Sequence, residues 1–165
     1  MAATYEPIAS VTASNAASVD FSSISGTYTD LVLQGYFYGA SANSDPYLRF
    51  GNGSIDTGTN YSQTEVYGSG SAAGSGRQTS NDEIRIGWST GIGSSASDPH
   101  FFRVSVMSYA NTSVNKTVLV EGGRAGAGVL RAVGLWRSTS AITNVSITGA
   151  VNLYGVVSLY GIQAA

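Results

Sequence analysis

Residues 100–109 read HFFRVSVMSY. Phe102, Val104 and Val106 fall on one parity, and Arg103, Ser105 and Tyr109 on the other. Successive side chains of an extended chain point to opposite faces, so this alternation sorts apolar from polar only in a strand. At helical periodicity the same letters would scatter around the axis. The stretch predicts a half-buried β-strand.

The pattern continues in both directions. Val19 and Phe21 share a face, with Ser18, Asp20 and Ser22 opposite. TDLVLQGYFYG (29–39) is apolar almost throughout, as a central strand requires. Leu48 and Phe50 oppose Tyr47 and Arg49, and Tyr61, Gln63, Glu65 and Tyr67 alternate with Ser62, Thr64 and Val66. Ile84, Ile86 and Trp88 share a parity. KTVLVEGG (116–123), GVLRAVGLWR (128–137), ITNVSITG (142–149) and VNLYGVVSLYGI (151–162) complete the series. Roughly ten short strands, roughly 8–15 residues apart and separated by Gly, Ser, Asn and Asp, predict an all-β, antiparallel, single-domain β-sandwich of jelly-roll type. Arg49, Glu65, Arg85, Arg103 and Arg131 lie on one parity within their strands and are expected on outer faces, where charge discourages wrong edge pairing.

Two stretches break the alternation. GSGSAAGSGRQTSND (68–82) and the segment 89–99 are Gly/Ser-rich and are expected to be flexible loops. Residues 1–16 read either as a first edge strand, with Pro7 confined to the edge, or as an extended arm docking on a neighbour. Residues 17–165 form the sandwich in this reading.

The chain is 42% hydrophobic but only 11% charged, with a net charge of -2; an average globular protein is roughly 25% charged. A free monomer usually stays soluble through surface charge of both signs. A neutral, Tyr-containing surface suits burial against other copies or other proteins instead. Seven Arg and one Lys are scattered singly, so the electrostatic footprint of nucleic-acid binding is missing. Cysteine is absent, which removes disulfides and thiolate metal sites. MAATYEPIAS carries neither the basic nor the apolar segment of a signal peptide, and no apolar run reaches membrane-spanning length. Synthesis in a cytoplasm, without membrane insertion, is the expectation.

Motifs for chemistry are weak. His100 is the sole histidine, with Asp98 two residues before it, but the nucleophile elbow needs a strand–turn–helix setting that is not predicted. EGGRAGAGVLR (121–131) lacks the third glycine of the dinucleotide fingerprint. Asp82 and Glu83 are adjacent and would point to opposite faces of a strand. Asp45, Asp56 and Asp98 are loop acids without the spacing of a calcium loop. The sequons at Asn52, Asn60, Asn111, Asn115 and Asn144 carry no modification meaning without secretion. No enzyme, cofactor or metal site is expected.

Aromatic residues are the remaining signal. Tyr28, Tyr36, Tyr38, Tyr61, Tyr67 and Trp136 could stack on sugar rings or pack against cross-strand neighbours. Tyr5, Tyr36, Tyr38, Tyr61, Tyr67, Trp136 and Arg137 are the candidate interface or glycan-contact residues. GLWRSTSAI (134–142) reads as a strand end followed by a hydroxyl-rich turn.

FSSISGTYTDLVLQG, YLRFGNGSIDTGTNYSQTEVYGSG, MSYANTSVNKTVL, GLWRSTSAITNVSI and the terminal LYGI resemble, in this order from about Tyr5 to Ile162, a recurrent family of small structural proteins of tailed bacteriophages, many of them marine or infecting cyanobacteria. The resemblance implies a virion component with a jelly-roll-like domain. It implies no catalytic residues, and the segment 68–82 is where relatives should diverge. A capsid cement (decoration) protein, working as a homotrimer on the major capsid protein, is the expectation. A tail-fibre or receptor-binding domain contacting host surface glycans is the alternative.

Overall fold

A computed structural model of the chain describes residues 5–41, 45–87 and 91–163. Trp88 and the first four residues lie outside that set, as do residues 89 and 90 of the second expected loop. The described residues form eleven strands and no helix: β1 (Tyr5–Phe21), β2 (Asp30–Gly39), β3 (Pro46–Asn52), β4 (Ser54–Ile55), β5 (Tyr61–Gly68), β6 (Ala73–Asn81), β7 (Ile84–Arg85), β8 (His100–Val106), β9 (Lys116–Arg124), β10 (Gly128–Trp136) and β11 (Asn144–Ile162). All pairings are antiparallel. The all-β, antiparallel, single-domain expectation therefore holds.

The hydrogen-bonded order is β4-β3-β11-β2-β8-β9-β10-β5-β6, with β1 on β11 and β7 on β3. The long β11 makes this one continuous sheet. Its first part, Asn144–Gly149, pairs with β3, and its second, Leu153–Ile162, pairs with β2. β1 follows β11 along both parts through several register shifts, so residues 5–16 belong to a paired strand. At Gly155 (φ +146) a Cβ would sit 2.0 Å from the Tyr36 carbonyl oxygen, so the close approach of β11 to β2 requires glycine.

The sheet rolls until its ends face one another. Tyr61 on β5 has its one hydroxyl proton within reach of the carbonyl oxygens of Asp56 (2.9 Å) and Phe50 (3.1 Å), and its oxygen accepts from the Phe50 amide at 3.0 Å. Trp136 on β10 stacks with Tyr61 (6.4 Å between centroids) and tilts onto Phe50 of β3 (6.0 Å). β7 bridges the seam: it pairs with β3 through Tyr47 and Leu48, and the Arg85 amide donates to Gln63 Oε1 of β5 at 2.8 Å. Between the facing walls lies one core, with Leu31, Phe37, Phe102 and Val157 among its fully buried members.

Two expectations fail. Ala73–Asn81, placed in the flexible loop 68–82, is β6, paired with β5 after a tight turn closed by the Ser69 amide on the Ala72 carbonyl (2.9 Å). Its glycines are the reason it can pair. A Cβ on Gly74 would lie 2.6 Å from the Tyr67 hydroxyl, and one on Gly76 would lie 2.9 Å from Glu65 Oε1, so the bare backbone makes room for the side chains of β5. The outward placing of all strand charges fails as well. Glu65 is buried and faces inward with Gln63, while Arg49 and Arg85 are half-buried in ion pairs.

Candidate functional site

Strands β2, β8, β9, β10 and β5 lie side by side, and the side chains they turn away from the core form one broad outer face. Register fixes its rows. One row runs Tyr36, Phe101, Gly123, Val129, Gly68. The next runs Gln34, Arg103, Glu121, Arg131, Val66. The third runs Val32, Ser105, Leu119, Val133, Thr64. Val32, at the β2 end of the third row, is buried, but the other apolar members are exposed: Val129 62%, Phe101 61%, Val66 58% and Val133 52%, with Leu119 and Tyr36 also exposed. Scattered exposed apolar residues are ordinary, but a contiguous apolar patch on a soluble domain marks a contact surface.

A line of charge crosses this apolar ground. Arg131 Nη1 lies 2.8 Å from Glu121 Oε1 in a surface ion pair. Arg103, beside Glu121 on the other flank, donates from Nη2 to the Tyr5 hydroxyl at 2.7 Å. Shallow hollows flank Glu121, one among Val66, Leu119, Arg131 and Val133, the other among Phe101, Arg103, Gly123 and Val129.

The expected contact residues divide between this face and the interior. Tyr5 and Tyr36 are exposed, and Tyr38 stacks on Tyr154 at 5.2 Å two residues along β2 from Tyr36. Tyr61 and Trp136 are buried in the core, so neither is available to a glycan or a partner. Tyr67 packs half-buried against the core and Tyr28 does likewise. Arg137 donates to the Ser62 hydroxyl and the Thr59 carbonyl, pinning the strand end to the turn before β5. The exposed Val66, Phe101, Leu119, Val129 and Val133 were not singled out in the sequence. Their signal was there in β10, which apart from Arg131 is apolar on both parities, much as a strand buried on both faces would be.

The acids and the histidine are each held by a structural partner. Asp56 accepts from Trp136 Nε1 (2.8 Å), Asn60 Nδ2 (2.9 Å) and the Gly58 amide (2.8 Å). Partial burial works to raise its pKa, but these hydrogen bonds outweigh it and hold the carboxyl below its usual range. Arg49 Nη2 binds Asp82 (2.7 Å) and Glu83 (2.9 Å), and burial raises the pKa of Glu83 against the pull of that guanidinium. Burial likewise raises the pKa of Asp45, which pairs with Arg85 at 3.4 Å. Asp98 pairs with Arg124 at 3.3 Å. His100 is buried with Nε2 3.1 Å from the Ile86 carbonyl oxygen. Burial lowers its pKa, the Ile86 contact opposes the shift, and Arg124 adds to it. Among the described residues no three His, Asp or Glu side chains gather where they could hold a metal ion.

Lys116 is the charge that sequence reasoning passed over. It is fully buried, and Nζ donates to the carbonyl oxygens of Asn111 (2.7 Å), Val114 (2.8 Å), Thr139 (3.1 Å) and Ser138 (3.5 Å). Burial lowers its pKa. The hydroxyl-rich turn after Trp136 thus presents its carbonyls to a lysine that ties it to the 111–114 turn.

No family model and no curated protein matches the chain. Among solved structures it is similar to CG-16, a homodimeric agglutinin from chicken liver, at 6% identity and a TM-score of 0.35, over 84% of this chain and 97% of that one. A likeness this slight says nothing about function.

Proposed function

We propose that the chain is a non-enzymatic structural protein of a phage virion, a cement or decoration protein that stabilises the head through contacts among its copies and with the major capsid protein. The observation that carries this reading is the exposed apolar face across β5, β10, β9, β8 and β2. The low charge of the chain and the likeness of five sequence blocks to phage structural proteins agree with it. Each copy gains about 25 cal/mol for every Å² of apolar surface it buries, less the cost of association. Repeated around a shell, such contacts make detachment slow.

The test is the disruption temperature of particles with and without the protein. Adding it back to stripped particles should raise that temperature, and identical melting would remove the cement role. A glycan adhesin is the second reading, favoured by the exposed rings of Tyr36 and Phe101. It predicts that the purified protein binds host cells and blocks infection.

A further inference from the structure

The geometry points to a specific occupant of the outer face: a second copy of the same chain, packed face to face about a two-fold axis that runs parallel to the strands and passes between β9 and β10. This deepens the proposed reading and rests only on the part of it that has the face buried against another copy. A two-fold contact needs a surface that complements itself, because every residue i that meets residue j is repeated as j meeting i. Few axes over this face satisfy that condition. The one between β9 and β10 does so for the residues beside the axis in all three rows; farther out in the middle row Arg103, held by the Tyr5 hydroxyl, lies over the partner's Val66.

In the middle row it sets Glu121 opposite the partner's Arg131, and Arg131 opposite the partner's Glu121. The ion pair already present in each copy becomes one half of a closed ring of four alternating charges. In the third row Leu119 meets the partner's Val133, and Val133 meets the partner's Leu119. In the first row Val129 meets the partner's Gly123, and Phe101 meets the partner's Gly68, so the two most exposed apolar side chains fall where no side chain opposes them. Aligned packing of two sheets crosses their strands at about 30°. The charged residues lie beside the axis, where that rotation displaces them least. Moving the axis to the other side of β9 would build the ring from Glu121 and Arg103 instead, but Arg103 is already committed to the Tyr5 hydroxyl, and the exposed Leu119 would then meet Ser105 in place of Val133. A three-fold assembly would need two different complementary patches in place of this one.

Charge reversal with mixing tests the contact. The mass of the full chain in solution, by sedimentation equilibrium, should be that of a dimer. Glu121→Arg puts arginines at both positions beside the axis, and Arg131→Glu puts acids at both. Each variant alone should dissociate at least about tenfold more readily than the native chain, since like charges juxtaposed across an interface strongly disfavour association. An equimolar mixture of the two variants should recover the native affinity, because every Arg beside the axis then faces a Glu. A role confined to the intrachain ion pair cannot produce recovery on mixing. Thermal melting of each variant alone identifies any loss due to misfolding, and the double variant Glu121→Arg/Arg131→Glu, which keeps the ring with its signs exchanged, should dimerise as the native chain does. A native monomer, a native trimer, a dimer indifferent to both reversals, or two weakened variants that fail to recover on mixing would each overturn the contact. A monomer that still raises the disruption temperature of particles would overturn it and leave the cement role standing. A charge-sensitive dimer without effect on particles would do the opposite.

Discussion

The seam where the sheet closes and the open face of β8–β9–β10 use the same alternation to opposite ends. At the seam, β5 turns Gln63 and Glu65 inward beside Tyr61 and leaves Val66 outside with Ser62 and Thr64, so polar side chains lie in the interior and an apolar one lies in water. The inward pair is satisfied: Gln63 donates to Glu65 at 2.6 Å and accepts from the Arg85 amide of β7 at 2.8 Å. Across the open face, β10 has Leu130, Ala132 and Trp136 inside and still places Val129 and Val133 outside. Polarity therefore does not say which side of a strand is the interior. It says which side has partners of its own kind. Buried polar groups persist where hydrogen bonds compensate them, and exposed apolar ones persist where a further surface is to come.

The largest test of this contrast lies in the closed wall. Trp136→Ala removes the ring that Tyr61 and Phe50 pack against and the donor that holds Asp56. Truncation of a large buried aromatic costs about 3–5 kcal/mol, and urea unfolding should show a loss of that size. A loss of about 1 kcal/mol, that of an average substitution, would mean that the two ends of the sheet are not joined through this side chain.

Lys116→Met comes next. It keeps an unbranched apolar stem but deprives the carbonyls of Asn111, Val114 and Thr139 of their shared donor. Leaving buried acceptors unpaired costs about 1–3 kcal/mol. Denaturant unfolding should show that loss, with faster amide exchange in the turns around 111–114 and 138–140. An unchanged midpoint would show that water replaces the ammonium group. The smallest change in folding stability belongs to the open face. The exposed Arg131–Glu121 pair should contribute less than about 1 kcal/mol to folding, so the charge reversals that dissolve the dimer should leave the melting temperature of the single chain almost where it was.

Much of this architecture could be read in the letters. Alternation placed β8, β10 and both halves of β11, and the mostly apolar run of 29–39 marked β2 as central; it lies between β11 and β8. What could not be read has physical causes. β6 is pleated by backbone hydrogen bonds and kept thin by Gly74 and Gly76, so it lacks the side-chain pattern by which a strand is recognised. The acceptors of Lys116 are main-chain carbonyls, which any residue supplies. For Tyr61 and Trp136, parity put each with its neighbours, but only the rolled sheet decides that their side is the inside. The same ambiguity concealed Phe101 and Val129, which look like core residues until the register shows them facing out.

Phe101 supplies the most direct test that the outer face is a contact surface. Hydroxyl-radical labelling of this ring can be compared between dilute isolated protein and the protein assembled at working concentration, on particles or as the dimer. Phe101 should be heavily modified in the dilute sample and several-fold protected on assembly, while Met107, exposed just beyond β8, is labelled equally in both. Equal labelling of Phe101 in the two states would mean that the face stays in water, and the apolar surface would be left without a function.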